Sequence, residues 1–319
     1  HACSVLQALH DVLAQISASG RFDSRELTFI RSFMHVFFED FLFWNALLKD
    51  SRVKVLVFDN HNYNEGLIAA AKVQGIRTVE LQHGLITNND IFYVYPDFVR
   101  SVASKAFFPD TIFVYGEGWK KKLEKGAEHE SNDIVVMGDY TYSTPPKPSE
   151  QINQKEKVVF VGAQKFMGKF YIEYIHTLAA LLLKKHADWK ILIKHHPSEK
   201  DKQQYDVLLQ YPNVSFAADT DDLLSLLRKS SIQISYYSTT LYDALGLEVL
   251  NFAVQNHSPY ADYCREVVAD GIALPIHMGE DPVELYHAKN DISMPPREYY
   301  FAPFNEVLAQ KELNLKGNL

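Results

Sequence analysis

The sequence predicts an α/β protein built from two Rossmann-like domains, each with a parallel sheet. Apolar runs typical of buried parallel strands alternate with helical segments along most of the chain. Polar residues follow several of these runs, at the strand ends where open α/β sheets bind ligands. The length of 319 residues is comfortable for two domains of about 150 residues each.

Composition narrows the classes of function. The formal net charge of −8 argues against a general nucleic-acid binder, because such a protein needs a basic face to neutralise phosphates. Cys3 and Cys264 lie far apart and lack ligand spacing, which predicts neither a disulfide nor a zinc site and favours a reducing cytoplasm. A chain that begins at His1 without Met or signal peptide is typical of a piece of a longer, multidomain protein.

The first 48 residues have a helical pattern, and residues 27–48 are rich in phenylalanine. Charged or ionisable residues within this segment, among them Arg31 and Asp40, disfavour a bilayer span. A helix that is apolar on most faces is usually buried, so we expect core or inter-chain packing. A surface for a membrane or a lipid-linked acceptor is the alternative, which would place the protein at the inner face of the plasma membrane.

A βαβ unit follows, with strands predicted over residues 54–59 and 77–81. The unbroken apolar run of the first strand predicts a central position with both faces covered. Gly84 follows the second strand, where we expect it to permit a sharp turn that exposes His83. The polar residues at the two strand ends should share one sheet edge: Asp59, Asn60, His61, Asn62, Gln82 and His83.

The second half repeats this βα rhythm and carries a second polar cluster. Strands predicted over residues 190–194 and 232–235 end in KHHP and in YYSTT. The hydroxyls of residues 238–240 should start a helix, where unpaired backbone N–H groups favour an anion. Lys194 and His196 end the neighbouring strand and can supply positive charge to the same anion. The alternative is that the hydroxyls only cap their own helix.

Between the halves, residues 143–156 contain three prolines and no apolar period. We therefore predict a linker there, with an N-terminal Rossmann-like domain over residues 1–142 and a C-terminal one over residues 157–319.

Together these motifs resemble bacterial GT-B glycosyltransferases of the capsule and lipopolysaccharide type. The resemblance rests on ELQHGLI, KHHP and SYYSTTLYDALGLEVLN, and it extends to transferases that use CMP-sugars such as those of Kdo or sialic acid, or CDP-polyols. In those enzymes an HP motif and a later Ser/Thr motif hold the donor's phosphates. The resemblance implies two Rossmann-like domains facing a cleft, with the acceptor glycan or lipid-linked glycan on the first and the nucleotide-sugar on the second.

Roles for individual residues follow from the motifs and the resemblance. Histidine accepts a proton near neutral pH, so His83 is the first candidate for the base that deprotonates the acceptor, and Asp59 is the second, if it is buried. The predicted acceptor contacts are His61, Asn62 and Gln82. The predicted donor site, in which the resemblance assigns Asp243 to the ribose and His196 to the leaving phosphate, comprises Gly162, Gln164, Lys194, His196, Pro197, Tyr237, Ser238, Thr239, Thr240 and Asp243.

No cofactor is expected, because the nucleotide-sugar is a substrate and the glycines form no dinucleotide fingerprint. The sequence shows no DxD metal motif of the GT-A kind, so we also expect no metal. Three alternatives stay open: a polyol-phosphate transferase, a UDP-sugar 2-epimerase, and a noncatalytic domain of a larger polymerase. The epimerase is disfavoured because its catalysis depends on several acidic residues, whereas the predicted cleft offers mainly histidines.

Overall fold

A computed structural model defines the architecture of the chain. It describes residues 11–88, 90, 92–95, 105–126, 129–143, 155–164, 167–236, 238–255, 261–288 and 294–313. The chain divides into a first unit, comprising His1–Val114, Trp119–Met137 and Asn305–Leu319, and a second unit, comprising Tyr115–Gly118 and Gly138–Phe304. Cys3 and most of the predicted linker lie outside the described residues, so the predicted domain boundaries stay a prediction.

The elements alternate between strands and helices. The strands are β1 Val55–Phe58, β2 Arg77–Leu81, β3 Thr111–Val114, β4 Ile134–Val136, β5 Glu156–Gly162, β6 Lys190–Lys194, β7 Val214–Phe216, β8 Ser230–Ser235, β9 Leu250–Val254 and β10 Leu274–Ile276. The helices are α1 Ser24–Leu48, α2 Glu65–Val73, α3 Glu117–Leu123, α4 Tyr140–Ser143, α5 Gly168–Lys185, α6 Leu223–Lys229, α7 Thr240–Gly246, α8 Ala261–Ala269, α9 Pro282–His287, α10 Arg297–Tyr300 and α11 Glu306–Glu312.

The two sheets are parallel but differ in strand order. The first unit holds four strands in the order β1-β2-β3-β4, so each new strand adds to the same side. The second unit holds six, in the order β10-β9-β8-β5-β6-β7. In this Rossmann order the chain grows outward from β5 in one direction and then from β8 in the other. The adjacent ends of β5 and β8 form the topological switch point, where such sheets bind ligands. The predicted α/β fold with two parallel sheets is confirmed.

Strand β1 corrects one prediction. It lies at the edge of its sheet rather than in the centre, and Val57 is 45% exposed. A short apolar run has the same appearance in either position, because the order of strands is decided by contacts between elements distant in sequence.

Helix α1 is buried on one face only. Asp23 and Glu26 form a capping box at its start. Phe41 and Trp44 pack toward α2, and the helices approach so closely that a Cβ on Gly66 would lie 2.8 Å from the Phe41 amide nitrogen. The opposite face is open, and Phe29 is 72% exposed, so the core of this chain covers only one face of α1 and the expected inter-chain packing stays a prediction. No helix in the described ranges is both long and apolar enough to cross a membrane.

Helix α11 belongs to the first unit although it follows the second in the chain. Leu308 and Ala309 pack against the cluster that contains Val79. Glu312 accepts a hydrogen bond from Arg77 at 3.0 Å, which ties the helix to the first residue of β2. The end of the chain therefore helps to hold the sheet that carries the first polar cluster.

Candidate functional site

A cavity of about 530 Å³ opens at the switch point of the second unit. It lies at the carboxyl ends of β5, β6 and β8, where ligands bind in sheets of this type. Eight of the predicted donor residues line it together: Gly162, Gln164, Lys194, His196, Pro197, Ser238, Thr239 and Thr240. The sequence prediction thus identified residues from three chain segments that the fold brings to one cavity.

Buried hydrogen bonds hold the floor of this cavity. Ser235, at the end of β8, donates to the Gly162 carbonyl at 3.0 Å, which joins the ends of the two central strands. Gln233 donates to Thr240 Oγ1 at 3.0 Å, so the threonine hydroxyl proton is not needed for that bond. A Cβ on Gly162 would lie 3.1 Å from the same Oγ1, closer than an unstrained contact allows. A side chain at this position would therefore require Thr240 to shift by a few tenths of an ångström.

The hydroxyl cluster lies directly before α7, as expected. Ser238 Oγ accepts a hydrogen bond from the Thr240 amide at 3.2 Å, so this residue does cap its own turn. Thr239 makes no capping bond through its side chain and is exposed. Ser238 thus serves as a backbone cap, while Thr239 lines the cavity and the anion-binding role of the cluster stays a prediction.

The two basic residues of β6 and its end are held in different ways. Lys194 Nζ donates to the carbonyl oxygens of Ala218 and Asp219 at 3.1 and 3.4 Å, which leaves one ammonium proton for another acceptor. His196 Nδ1 lies 3.2 Å from the Ser198 backbone nitrogen, which can only donate. The imidazole proton therefore lies on Nε2, and His196 acts as a hydrogen-bond donor through that atom.

His195 also lines the cavity, although the predicted site did not include it. Its ring stacks on Phe216 at 5.1 Å and meets Tyr205 edge-on at 4.6 Å. Burial lowers its pKa, and the nearby charge of Lys202 lowers it further, which favours the neutral ring. The two consecutive histidines of KHHP were the sequence feature from which His195 could have been included in the predicted site.

The two remaining predicted donor residues are Tyr237 and Asp243. Tyr237 lies outside the described residues. Asp243 lies in the first turn of α7, as expected, but it is absent from the described cavity wall. Burial raises the pKa of Tyr115 to about 12, and the negative charges of Asp139 and Asp243 contribute to that rise.

In the first unit, a buried carboxylate connects the two polar strand ends. Glu80 lies on the interior strand β2 and has no solvent exposure. Its Oε2 lies 2.7 Å from His61 Nδ1, and its Oε1 accepts a hydrogen bond of 2.7 Å from the Tyr93 hydroxyl. The same hydroxyl lies 3.2 Å from His83 Nδ1. Four side chains from two strand ends and one loop therefore form one network.

The donors and acceptors of this network fix where the protons lie. Tyr93 has one hydroxyl proton, which it donates to Glu80, so toward His83 its oxygen acts as an acceptor. His83 Nδ1 then carries the imidazole proton, and its Nε2 keeps a lone pair. The side chain of His83 is exposed. His83 is thus an oriented, accessible proton acceptor, in the arrangement that a carboxylate imposes on a catalytic histidine.

The other predicted residues of this edge differ in exposure. Asp59 is exposed and lacks the burial that its role as a base requires. Gln82 is buried and donates to the Gly84 carbonyl at 2.8 Å, which holds the turn. Gly84 follows the exposed His83, as expected, but its φ is not positive and a Cβ there would meet nothing within 4 Å, so the turn does not depend on glycine. Asn62 is half-buried, and its side chain donates to the Phe92 carbonyl at 3.4 Å.

A further histidine lies beside the network. His129 is 5% exposed, and its ring meets Phe108, which also contacts the His61 ring. Burial lowers the pKa of His129 to about 3, and repulsion from His61 and two lysines contributes. The ring is therefore neutral at physiological pH.

Sequence reasoning missed Glu80 and Tyr93. A charged residue within the buried-type strand RTVEL was a usable signal for Glu80, because buried carboxylates need partners. Tyr93 lies in an irregular aromatic loop and carries no such signal, since only the folded chain brings its hydroxyl to the network.

Among the described residues, His186, Asp281 and Glu284 lie close enough together to be considered as a metal site. Lys185 Nζ already lies 3.4 Å from Asp281 and 2.9 Å from Glu284. His186 lies 3.0 Å from Asp281, whose Oδ1 also caps α9. These contacts account for the cluster as a surface ion-pair network at the start of a helix.

Comparisons with solved structures define the class of fold. The chain is similar to UDP-GlcNAc 2-epimerase from Neisseria meningitidis bound to UDP-GlcNAc, with 15% identity, a TM-score of 0.59, and coverage of 89% of this chain and 82% of that one. It is also similar to a glycosyltransferase from Rickettsia africae, with 13% identity, a TM-score of 0.52, and coverage of 89% and 83%.

A third similar structure is the calicheamicin glycosyltransferase CalG4, with 13% identity, a TM-score of 0.55, and coverage of 92% and 82%. No family model and no curated protein matches the sequence. The chain thus has a GT-B-like α/β fold, which bears out the fold implied by its motifs.

Proposed function

We propose that this protein is an enzyme that transfers a sugar from a nucleotide-sugar to a hydroxyl group of an acceptor. The second unit binds the donor, and the first unit supplies the base. The observation that carries the proposal is the cavity at the switch point, where Gly162, Lys194, His196 and the hydroxyls of residues 238–240 converge.

The cavity supports donor binding because its polar groups suit a diphosphate or monophosphate ester. Lys194 keeps one ammonium proton, His196 presents Nε2–H, and Thr239 presents an uncommitted hydroxyl. Glycine at position 162 removes a side chain from the floor. The wall also contains apolar atoms from Phe160 and Leu223, as expected for a nucleoside-binding cavity.

The Glu80 network supports the role of His83 as base. In the proposed reaction, His83 Nε2 takes the proton of the acceptor hydroxyl. The oxygen of that hydroxyl attacks the anomeric carbon of the sugar. The bond between that carbon and the phosphate oxygen breaks, and the phosphate keeps the electron pair. Tyr93 and Glu80 orient the imidazole and stabilise the imidazolium that forms. Lys194 and His196 stabilise the leaving phosphate by charge and hydrogen bonding, in the role that a metal ion has in other transferases.

The finer assignment rests on the motifs. HP and QHG with a later Ser/Thr cluster favour a CMP-sugar donor, such as one carrying Kdo or sialic acid, and an acceptor from a bacterial surface glycan. Transfer of a polyol phosphate from a CDP-polyol uses the same groups, with attack at phosphorus instead of carbon. The donor cavity alone does not distinguish these reactions.

The proposal is tested by calorimetric titration with CMP, CDP, UDP and GDP, followed by measurement of free nucleotide released from the matching nucleotide-sugars with a panel of glycan acceptors. We expect one nucleotide to bind in the micromolar range and its sugar ester to release nucleotide only when an acceptor is present. The absence of binding by all four nucleotides would contradict the donor site.

A 2-epimerase acting on a nucleotide-sugar is the second candidate. It is favoured by similarity to UDP-GlcNAc 2-epimerases and by the buried Glu80, a carboxylate that sequence reasoning did not include. Incubation with UDP-GlcNAc separates the candidates, because an epimerase changes the configuration of the sugar without needing an acceptor. A transferase leaves the configuration at C2 unchanged and consumes donor only with acceptor.

A further inference from the structure

A second cavity, in the first unit, has a different chemistry. It has a volume of about 380 Å³ and lies between α1 and residues 105–108. Phe33, Met34, Phe37 and Phe38 of α1 form one wall, and Phe107 and Phe108 form the other. The rings of Phe37 and Phe107 meet edge-on at 5.4 Å, so the two walls are in contact at that point and the cavity lies beside it. Such an aromatic enclosure favours an apolar ligand.

One buried polar group in this cavity is without a partner. His61 lines the cavity and is 1% exposed. Its Nδ1 lies 2.7 Å from the Glu80 carboxylate, so the imidazole proton lies there and Nε2 is an acceptor. Nε2 is buried and has no hydrogen-bond partner among the described residues. A buried acceptor left unpaired costs free energy, which a ligand with a donor group recovers.

The other polar residues on the wall are Asn62, Glu65 and Tyr95, and none of them makes a hydrogen bond to Nε2. Asn62 directs its amide toward the Phe92 carbonyl, and the Tyr95 hydroxyl donates to Asn62 Oδ1 at 3.5 Å. Glu65 is half-buried, and burial raises its carboxyl pKa.

We propose that this cavity is a binding site for an apolar alcohol or phenol, whose hydrocarbon part packs between the aromatic walls and whose hydroxyl donates to His61 Nε2. The site goes beyond the proposed transfer reaction and does not depend on it. Because Glu80 bonds to His61 directly and to His83 through the Tyr93 hydroxyl, an occupant of this cavity would contact the same network that orients the proposed base.

The test uses three probes of similar shape: 2-naphthol, which donates a hydrogen bond, 2-methoxynaphthalene, which only accepts one, and naphthalene, which does neither. Binding to the full chain is measured by probe fluorescence. We expect 2-naphthol to bind about three- to tenfold more tightly than the other two, as one hydrogen bond contributes. Equal affinities for all three probes, or no binding of any, would overturn the proposal.

Variants locate the site. Met34→Trp fills the cavity while all residues of the Glu80 network are kept, and it should abolish binding of all three probes. Leu47→Trp adds the same ring to an exposed position of α1 outside the cavity wall and should change nothing. His61→Phe should remove the preference for 2-naphthol and keep the binding of naphthalene. Equal losses in Met34→Trp and Leu47→Trp would assign the binding to the exposed helix face and refute the site.

Discussion

The two units carry their polar groups in opposite ways. In the second unit the groups line an open cavity at a switch point, and the donors of Lys194 and Thr239 are not all used within the chain. In the first unit the strands follow one another in order without a switch point, and the groups bond to one another around Glu80. This difference suits the proposed roles, because a binding site needs donors for its ligand, whereas a group that transfers a proton needs buried partners that orient it.

This contrast predicts that substitutions in the two units affect different quantities, nucleotide affinity in one unit and turnover in the other. Changes in the second unit should weaken nucleotide binding, and changes in the Glu80 network should slow turnover with little effect on binding. The variants of His83, Tyr93 and His196 test that division, and those of His129, Gly84 and Gly162 test the packing around the two sites.

The largest effect is expected for His83→Asn. Loss of the base should lower turnover by about 10² to 10⁴, because general-base catalysis contributes a factor of this size. Calorimetric affinity for the nucleotide should stay unchanged. Asp59→Asn is the matched variant at the same sheet edge and should retain turnover. If Asp59→Asn is the variant that loses activity, the exposed carboxylate is the base.

A pH effect on stability should follow from His129. Its pKa falls to about 3 in the folded chain, compared with about 6.5 in the unfolded one, so the unfolded state binds the proton more tightly. Stability from this residue is fully present above pH ~6.5 and is lost as pH falls toward ~3, by roughly 3 kcal/mol between pH 7 and pH 4. Urea unfolding at several pH values should show a shallower acid loss in His129→Leu than in the parent. If the unfolding free energy of His129→Leu depends on pH in the same way as that of the parent, this account of His129 is wrong.

Tyr93→Phe should lower turnover by about 10- to 100-fold, since the ring stays in place while the link between Glu80 and His83 is lost. KM should change little. The position of the imidazole proton is an independent readout, because ¹⁵N chemical shifts of His83 should report Nδ1–H in the parent and a shift toward Nε2–H in the variant. Tyr63→Phe, an exposed tyrosine of the same unit, serves as the control. An unchanged tautomer in Tyr93→Phe would remove Tyr93 from the network.

His196→Ala should weaken nucleotide binding by about tenfold, as expected for loss of one hydrogen bond to a charged group. His176→Ala removes an exposed histidine of the second unit that contacts Tyr211 rather than the cavity, and it should bind normally. Equal affinities of the His196 variant and the parent would contradict the donor site. The same result would also contradict the proposed assignment of nucleotide binding to the second unit.

The smallest effects should distinguish two turn glycines. Gly84→Ala should leave stability within about 0.5 kcal/mol, because its backbone is unstrained and the space around it is open. Gly162→Ala should destabilise the cavity floor by about 1 kcal/mol, because its Cβ would press on Thr240. Thermal unfolding of both variants measures the difference. A larger loss in Gly84→Ala would show that the QHG turn needs glycine after all.

The amount that could be predicted differs between the two sites. The donor cavity follows largely from the sequence, because strand ends of a parallel sheet meet at one edge whatever the details of packing. KHHP and the Ser/Thr cluster were therefore brought together as predicted. Only part of the Glu80 network could be predicted from the sequence. His61 and His83 follow strand ends, but Tyr93 comes from an irregular loop whose path no periodicity encodes.

The sequence by itself determined the α/β class, the two parallel sheets and the segments that end at the ligand edge. Each of these follows from local hydrophobic periodicity and from the residue types at the strand ends. Only the tertiary structure decided that β1 is an edge strand, that α1 keeps one face exposed and that α11 joins the first unit. It also decided which nitrogen of the neutral His83 ring carries the proton, since that depends on partners from distant parts of the chain. Strand order, helix packing and hydrogen-bond direction are all set by contacts between distant residues, which no local pattern encodes.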